Sequence, residues 1–160
     1  MKKVLYIIPG WEESCGDRPY RLLAEIARQK DYEVIEKNID WRKPLSSQLF
    51  PVPSEAVLFG FSLGAIVAWL VAQKYPCQHL ILASMTPHYN FTDPGIKKAL
   101  IDLVGQEFVD DIISHLSPIH QAKRQTILYG DQEGEKADVL VLHSEHELNS
   151  NYIQEITKLF

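Results

Sequence analysis

Cysteine is scarce in this chain. Its 160 residues include two, Cys15 and Cys77, far apart in sequence. That excludes a disulfide scaffold and fits a reducing compartment. Runs of Lys and Arg are also missing. Sixteen basic residues face twenty-one acidic ones, a net charge of −5, so the electrostatic footprint of a nucleic-acid binder is not there. No apolar stretch approaches the roughly 20 residues of a membrane span. The run after Met1-Lys2-Lys3, from Val4 to Ile8, meets Pro9-Gly10 well short of the roughly 7–15 residues of a secretory core. Repeats and low-complexity tracts are absent. The sequence has neither G-x-G-x-x-G nor G-x-x-x-x-G-K-[ST], which removes the main support for a nucleotide-binding doubly wound fold. His143 and His146 match no zinc spacing, and no metal or organic cofactor is implied. These absences lead to the expectation of a cytoplasmic protein with no nucleic-acid or membrane partner.

What is present is ordinary globular material: 46% hydrophobic and 23% charged residues exclude a disordered or fibrous chain. The length fits one domain, residues 1–160. A chain this long buries roughly 70% of its extended surface, enough for a full core.

Short apolar runs alternate with helical spacings. Val4–Ile8, Tyr32–Glu36, Ala56–Phe59, His79–Ala83, Gln125–Tyr129 and Val139–Leu142 read as strands. Arg18–Gln29 carries Leu22, Leu23, Ile26 and Ala27 at helical spacing. Leu63–Lys74 is apolar almost all round, as a buried helix is, and Pro76 ends it. Thr92 or Asp93 can cap a further helix with Pro94 in its first turn. A second helix follows Gly105, and a last one starts near Ser150. Pro44–Pro53 is irregular, with one helical turn around Ser47–Leu49. This alternation predicts an α/β fold with a mostly parallel sheet of about six strands and helices on both faces. One link is anomalous. Eight residues separate Gly130 from Val139, fewer than a parallel crossover normally takes. Either that link is a bare loop with one turn, or the last strand is shorter than Val139–Leu142.

Gly60-Phe61-Ser62-Leu63-Gly64 is G-x-S-x-G between a predicted buried strand and a predicted buried helix. That context is what a nucleophile elbow requires: a sharp turn lifts the serine hydroxyl over the sheet edge, and its neighbours two positions away have no room for side chains. The helix N-terminus beside Ser62 favours negative charge. The plainer alternative is a glycine-rich turn with Ser62 as a helix cap.

On these residues the chain resembles the α/β-hydrolase superfamily along nearly its whole length. It looks like the small, cap-poor serine hydrolases that lack the first two strands of larger members. Ile8-Pro9-Gly10-Trp11 resembles the family's strand followed by His-Gly-x, with Pro9 in place of the His. The resemblance implies that the backbone N–H groups of Trp11 and Leu63 form an oxyanion hole. Two such fixed donors supply about 3–4 kcal/mol each to lowering a barrier. The family places its base after the last strand, where His146 stands. His143, at the end of that strand, is the competitor. The family's Gly-x-x-Asp is matched by Gly130-Asp131-Gln132-Glu133, which aligns the orienting acid with Glu133. Asp131 is the alternative, and Asp93 a distant third. His79, His88, His115 and His120 read as packed or surface residues.

The resemblance implies a serine hydrolase that cleaves a small ester or thioester through an acyl-enzyme on Ser62, with a small-molecule partner. The segment of about 87–123 would be a small helical insertion roofing the serine, with the Phe108, Ile112, Ile113 and Leu116 stripe facing the core or a substrate channel. Trp11, Phe61, Met85 and Tyr89 would suit an apolar acyl group or a small aromatic ester. The competing reading is a catalytically idle hydrolase fold that serves as a binding or interaction module.

Overall fold

The computed structural model describes residues 2–85 and 91–160. Six strands, β1 (Lys3–Ile8), β2 (Tyr32–Glu36), β3 (Val57–Phe61), β4 (Cys77–Ala83), β5 (Ala122–Gly130) and β6 (Val139–Val141), form one sheet in the order β2-β1-β3-β4-β5-β6. Every neighbouring pair is parallel. All carboxyl ends therefore open on one edge of the sheet, where ligands of such sheets bind.

Alternating side chains on the inner strands feed two cores, as the period of two requires. On one face Tyr6, Ile8, Leu58, Leu80 and Leu82 pack under α2 (Leu63–Lys74), α3 (Pro94–Val104) and α4 (Gln106–His115). On the other, Leu5, Ile7, Phe59, Ile81 and Leu128 pack under α1 (Arg18–Gln29) and α5 (Ser150–Ile156). The all-round apolar character of α2 has a direct cause: nine of its twelve residues are buried, in a core that it shares with the sheet and with Leu100, Phe108, Val109 and Ile112 of α3 and α4. α3 starts at Asp93, whose carboxylate accepts the Gly95 and Ile96 N–H groups, with Pro94 in the first turn. Gly105, at φ +94°, breaks α3 from α4 in a conformation that disfavours any side chain. α5 is capped by Asn149, which accepts the Tyr152 N–H.

Several boundaries shift from the sequence reading. β4 and β5 begin two and three residues earlier, at Cys77 and Ala122, and the irregular stretch holds a 3-10 turn at Leu45–Gln48. The anomalous link is indeed a bare loop, and β6 is also shorter than expected. Because β6 pairs through only Leu128↔Val139, Tyr129↔Leu140 and Gly130↔Val141, the return path is about 10 Å, which eight residues span without a helix. Asp138 closes that return. Its N–H donates to the Ile127 carbonyl and its carboxylate accepts the Ile127 N–H. Among the described residues, no helix is long and apolar enough to cross a membrane.

The β3–α2 turn is the tightest point of the fold. A Cβ at Gly60 would lie 2.3 Å from the Gly64 carbonyl oxygen. A Cβ at Gly64 would lie 2.2 Å from the Pro9 oxygen and 2.5 Å from that of Ile8. Backbone meets backbone in both places, so no side chain can move aside. Gly64→Ala is expected to lower stability by about 3 kcal/mol or more. Gly16→Ala, whose Cβ meets only the Ser14 hydroxyl at 3.4 Å, should change it by less than about 0.5 kcal/mol. Urea melts of the two variants decide the point, and equal midpoints would contradict it.

Candidate active site

The turn between β3 and α2 sets Ser62 at φ +55°, ψ −124°, a conformation that a non-glycine residue adopts only under constraint. The Ser62 N–H is held by the Ala83 carbonyl on the neighbouring strand. Its side chain makes no cap bond to α2, which removes the plain helix-cap reading. The hydroxyl instead stands 2.9 Å from His146 Nε2. His146 Nδ1 lies 2.9 Å from Glu133 Oε1. A carboxylate only accepts, so it fixes the proton on Nδ1 and leaves Nε2 free to accept from Ser62. Ser62 is 6% exposed while the His146 side chain is 40% exposed. The imidazole therefore forms the open wall of the site and the serine its floor. The Phe61 ring supports the imidazole at 5.4 Å.

The loops bearing Glu133 and His146 are zipped together. The Asp131 N–H donates to the Val141 carbonyl and the Gln132 N–H to that of Ser144. The Asp131 carboxylate accepts the Ser144 N–H. That bond holds its carboxyl below the ordinary value and spends it on the loop rather than on His146. A Cβ at Gly130 would lie 2.1 Å from the Ser144 oxygen, so the loops touch through a position that takes no side chain. Of the two acids that the sequence left open, Glu133 is the one that reaches the imidazole. Asp93 caps α3. His143, exposed at the exit of β6, takes φ +53° where the chain bends toward His146. His79 is buried with Nε2 2.8 Å from the Thr126 hydroxyl, and burial, helped by Arg124, lowers its pKa to about 4. His115 and His120 are at the surface or half-buried. His88 and Tyr89 lie outside the described residues.

Two residues missed by the sequence reading complete the acid's surroundings. Glu133 Oε2 accepts the Ser84 hydroxyl at 2.8 Å, the Tyr152 hydroxyl at 2.6 Å and the Gly130 N–H at 2.6 Å. Burial by itself would raise this carboxyl, but the bonds from His146, Tyr152, Gly130 and Ser84 outweigh it and hold the pKa at about 2. A polar residue directly after the apolar run Leu80–Ala83 was the available signal for Ser84, which is wholly buried at φ +49°.

On the other side of Ser62, the Pro9–Gly10 segment leaving β1 packs against Gly64. Trp11 follows it, its ring 5.6 Å from Trp41 and 6.2 Å from Phe108. Among the described residues, the backbone N–H groups of Trp11 and Leu63 meet no acceptor. An apolar cavity of about 430 Å³, lined by Trp69, Met85, Thr92, Leu116, Ser117 and Pro118, opens beyond the end of β4. Both cysteines are buried and reduced, with burial raising each thiol to about 11. Among the described residues, no group of three His, Cys, Asp and Glu side chains is placed to hold a metal ion.

No family model and no curated protein matches this sequence. Solved structures do match in shape. Mouse alpha/beta hydrolase domain-containing protein 10 superposes with a TM-score of 0.69 at 12% identity, over 98% of this chain and 87% of that one. The chain has the α/β-hydrolase fold. An Agrobacterium vitis S4 protein with a provisional hydrolase name shares this fold at a TM-score of 0.71 and 14% identity, over 99% and 86% of the two chains. Est1E from Butyrivibrio proteoclasticus, in its ferulic acid-bound form, shares it at 0.65 and 14%, over 98% and 86%. The α/β-hydrolase sheet is here reduced to six strands.

The low pKa of Glu133 has a sign that melting experiments can read. Its ionised form stabilises the fold fully above the ordinary value of 4.5, and that contribution is lost as pH falls toward about 2. Thermal melts of wild type and Glu133→Gln should differ most above pH 4.5 and converge toward pH 2. A gap independent of pH would contradict the assignment.

Proposed function

We propose that this chain is a serine hydrolase that cleaves a small ester or thioester through an acyl-enzyme on Ser62. The observation that carries the reading is the continuous relay Ser62 Oγ–His146 Nε2, His146 Nδ1–Glu133 Oε1, at 2.9 Å in both contacts. In the proposed cycle, His146 Nε2 takes the Ser62 proton as Oγ attacks the carbonyl carbon. The carbonyl π electrons move onto oxygen, which the Trp11 and Leu63 N–H groups would stabilise. The tetrahedral intermediate collapses, the bond to the leaving group breaks, and His146 protonates that group. Water, deprotonated by the same imidazole, then attacks the acyl-enzyme and releases the acid, restoring Ser62. Glu133 stays ionised throughout and stabilises the imidazolium, a role its pKa of about 2 suits.

Apolar side chains support the substrate class of this reading. Trp11, Phe61 and Met85 are apolar, and the cavity beside Met85 has mostly apolar walls. They suit an alkyl or aromatic acyl group of modest size. The ferulic acid held by Est1E is an aromatic acid, so hydroxycinnamoyl esters belong in the first substrate panel beside p-nitrophenyl esters of increasing chain length.

A fluorophosphonate probe should label wild type and not Ser62→Ala. In p-nitrophenyl ester assays, Ser62→Ala and His146→Ala should lose turnover to near background, roughly 10⁶-fold in a complete triad. Glu133→Gln should lose up to about 10⁴-fold, while Asp131→Asn and His143→Ala keep most activity. Labelling that is absent in wild type, or indifferent to Ser62, would favour the idle binding module.

A further inference from the structure

The turn that carries Trp11 is held by a side chain from another element. Residues Gly10 to Glu13 form a tight turn closed by the Glu13 N–H donating to the Gly10 carbonyl at 3.1 Å. Glu12 sits at φ +55°, as the third residue of a type II turn requires. In such a turn the N–H of the second residue, here Trp11, has no partner inside the turn. Tyr20, on the core face of α1 and 1% exposed, reaches up to it. Its hydroxyl accepts the Gly10 N–H at 3.0 Å and donates to Glu13 Oε2 at 2.5 Å. The phenol thus bridges the first and last residues of the turn. A hydroxyl is suited to this because it accepts and donates at once. The carboxylate also touches the site. Glu13 Oε1 lies 3.2 Å from where a Gly10 Cβ would stand, beside the Phe61 ring that supports His146. Burial raises the Glu13 carboxyl, and the charge of His146 opposes that rise.

We propose that Tyr20 is a positioning residue for the oxyanion side of this site: with Glu13 it locks the Gly10–Glu13 turn so that the Trp11 N–H meets the substrate's carbonyl oxygen as negative charge develops there. The proposal rests on the serine-hydrolase reading above. Tyr20 touches neither substrate nor the reacting atoms. It acts through the orientation of one backbone donor, so its loss weakens transition-state binding more than ground-state binding. Glu13 supplies the acceptor that orients the phenol hydroxyl, leaving its lone pairs to the Gly10 N–H.

The test uses p-nitrophenyl butyrate turnover and inhibition by phenylboronic acid, whose serine adduct places a tetrahedral oxygen where the oxyanion would lie. Tyr20→Phe should lower kcat about 10- to 100-fold, leave KM within about twofold, and weaken boronate inhibition by a similar factor to kcat. Glu13→Leu should behave alike and decides the matter if Tyr20→Phe fails to fold. Glu13→Gln, which keeps an acceptor oxygen, should retain most activity. Leu23→Ala, a core change on the same helix, should lower Tm with kcat intact when assayed well below the melt. Wild-type kcat and boronate affinity in Tyr20→Phe would overturn the proposal. So would an equal kcat loss in Leu23→Ala, because the effect would then be general loosening of α1. Wild-type protein without Ser62-dependent labelling would overturn the hydrolase reading and this one with it, whereas active wild type with an indifferent Tyr20→Phe overturns this one alone.

Discussion

The carbonyl oxygens of Ile8 and Pro9 lie over position 64, closer than any side chain would allow. That contact fixes the exit of β1 against the first turn of α2. One end of it is Ser62, which heads the helix with its hydroxyl unspent on capping. The other is the segment that becomes the Trp11 turn. Because the contact is between main chains, it cannot adjust by rotamer changes, and the relative placement of Ser62 and the Trp11 turn is set when the two strands pair. Parallel pairing of β1 with β3 is thus a condition for the site as well as for the sheet.

A second constraint acts across the sheet. Glu133 and His146 belong to loops that leave different strands, and neither loop is held by a helix between them. Backbone bonds between residues 131–132 and 141–144, with the glycine at 130, bring the loops together. The short β6 is part of the same arrangement. A longer strand would need a longer return path and would move the histidine loop away from the turn that bears the acid. The three hydrogen bonds on Glu133 Oε2 then keep a largely buried carboxylate charged, which an unassisted carboxyl in that place would resist.

Much of this was legible in the sequence because its causes are local. Continuous apolar strands, an all-apolar helix and two glycines around a serine each carry their signal within a dozen residues, so the sheet, α2 and the elbow could be read directly. The position of His146 after the last strand depended on likeness to a fold family, and the structure brings its Nε2 within 2.9 Å of Ser62 Oγ. Likeness to the family put Glu133 only slightly ahead of Asp131, and the residues themselves left both open. Both stand on one turn, and what separates them is a bond from Asp131 to Ser144, thirteen residues on. Ser84 and Tyr152 were hidden for the same reason, since their shared partner lies 49 and 19 residues away. The starts of β4 and β5 were misplaced because Cys77 and Ala122 are small and border polar residues, yet they pair with each other in the sheet.

Tyr20 from α1 and Tyr152 from α5 stand in one helical layer, and Lys30, just past α1, donates to the Thr157 and Phe160 carbonyls just past α5. The cavity beside Met85 and the aromatic cluster around Trp11 belong to the opposite layer. The two tyrosines and the apolar cavity therefore stand on opposite sides of a single sheet. Side chains on the α3–α4 side can change size and shape without disturbing the hydrogen bonds of Tyr20 and Tyr152, a modularity that the single interdigitated core of a helical bundle would not provide.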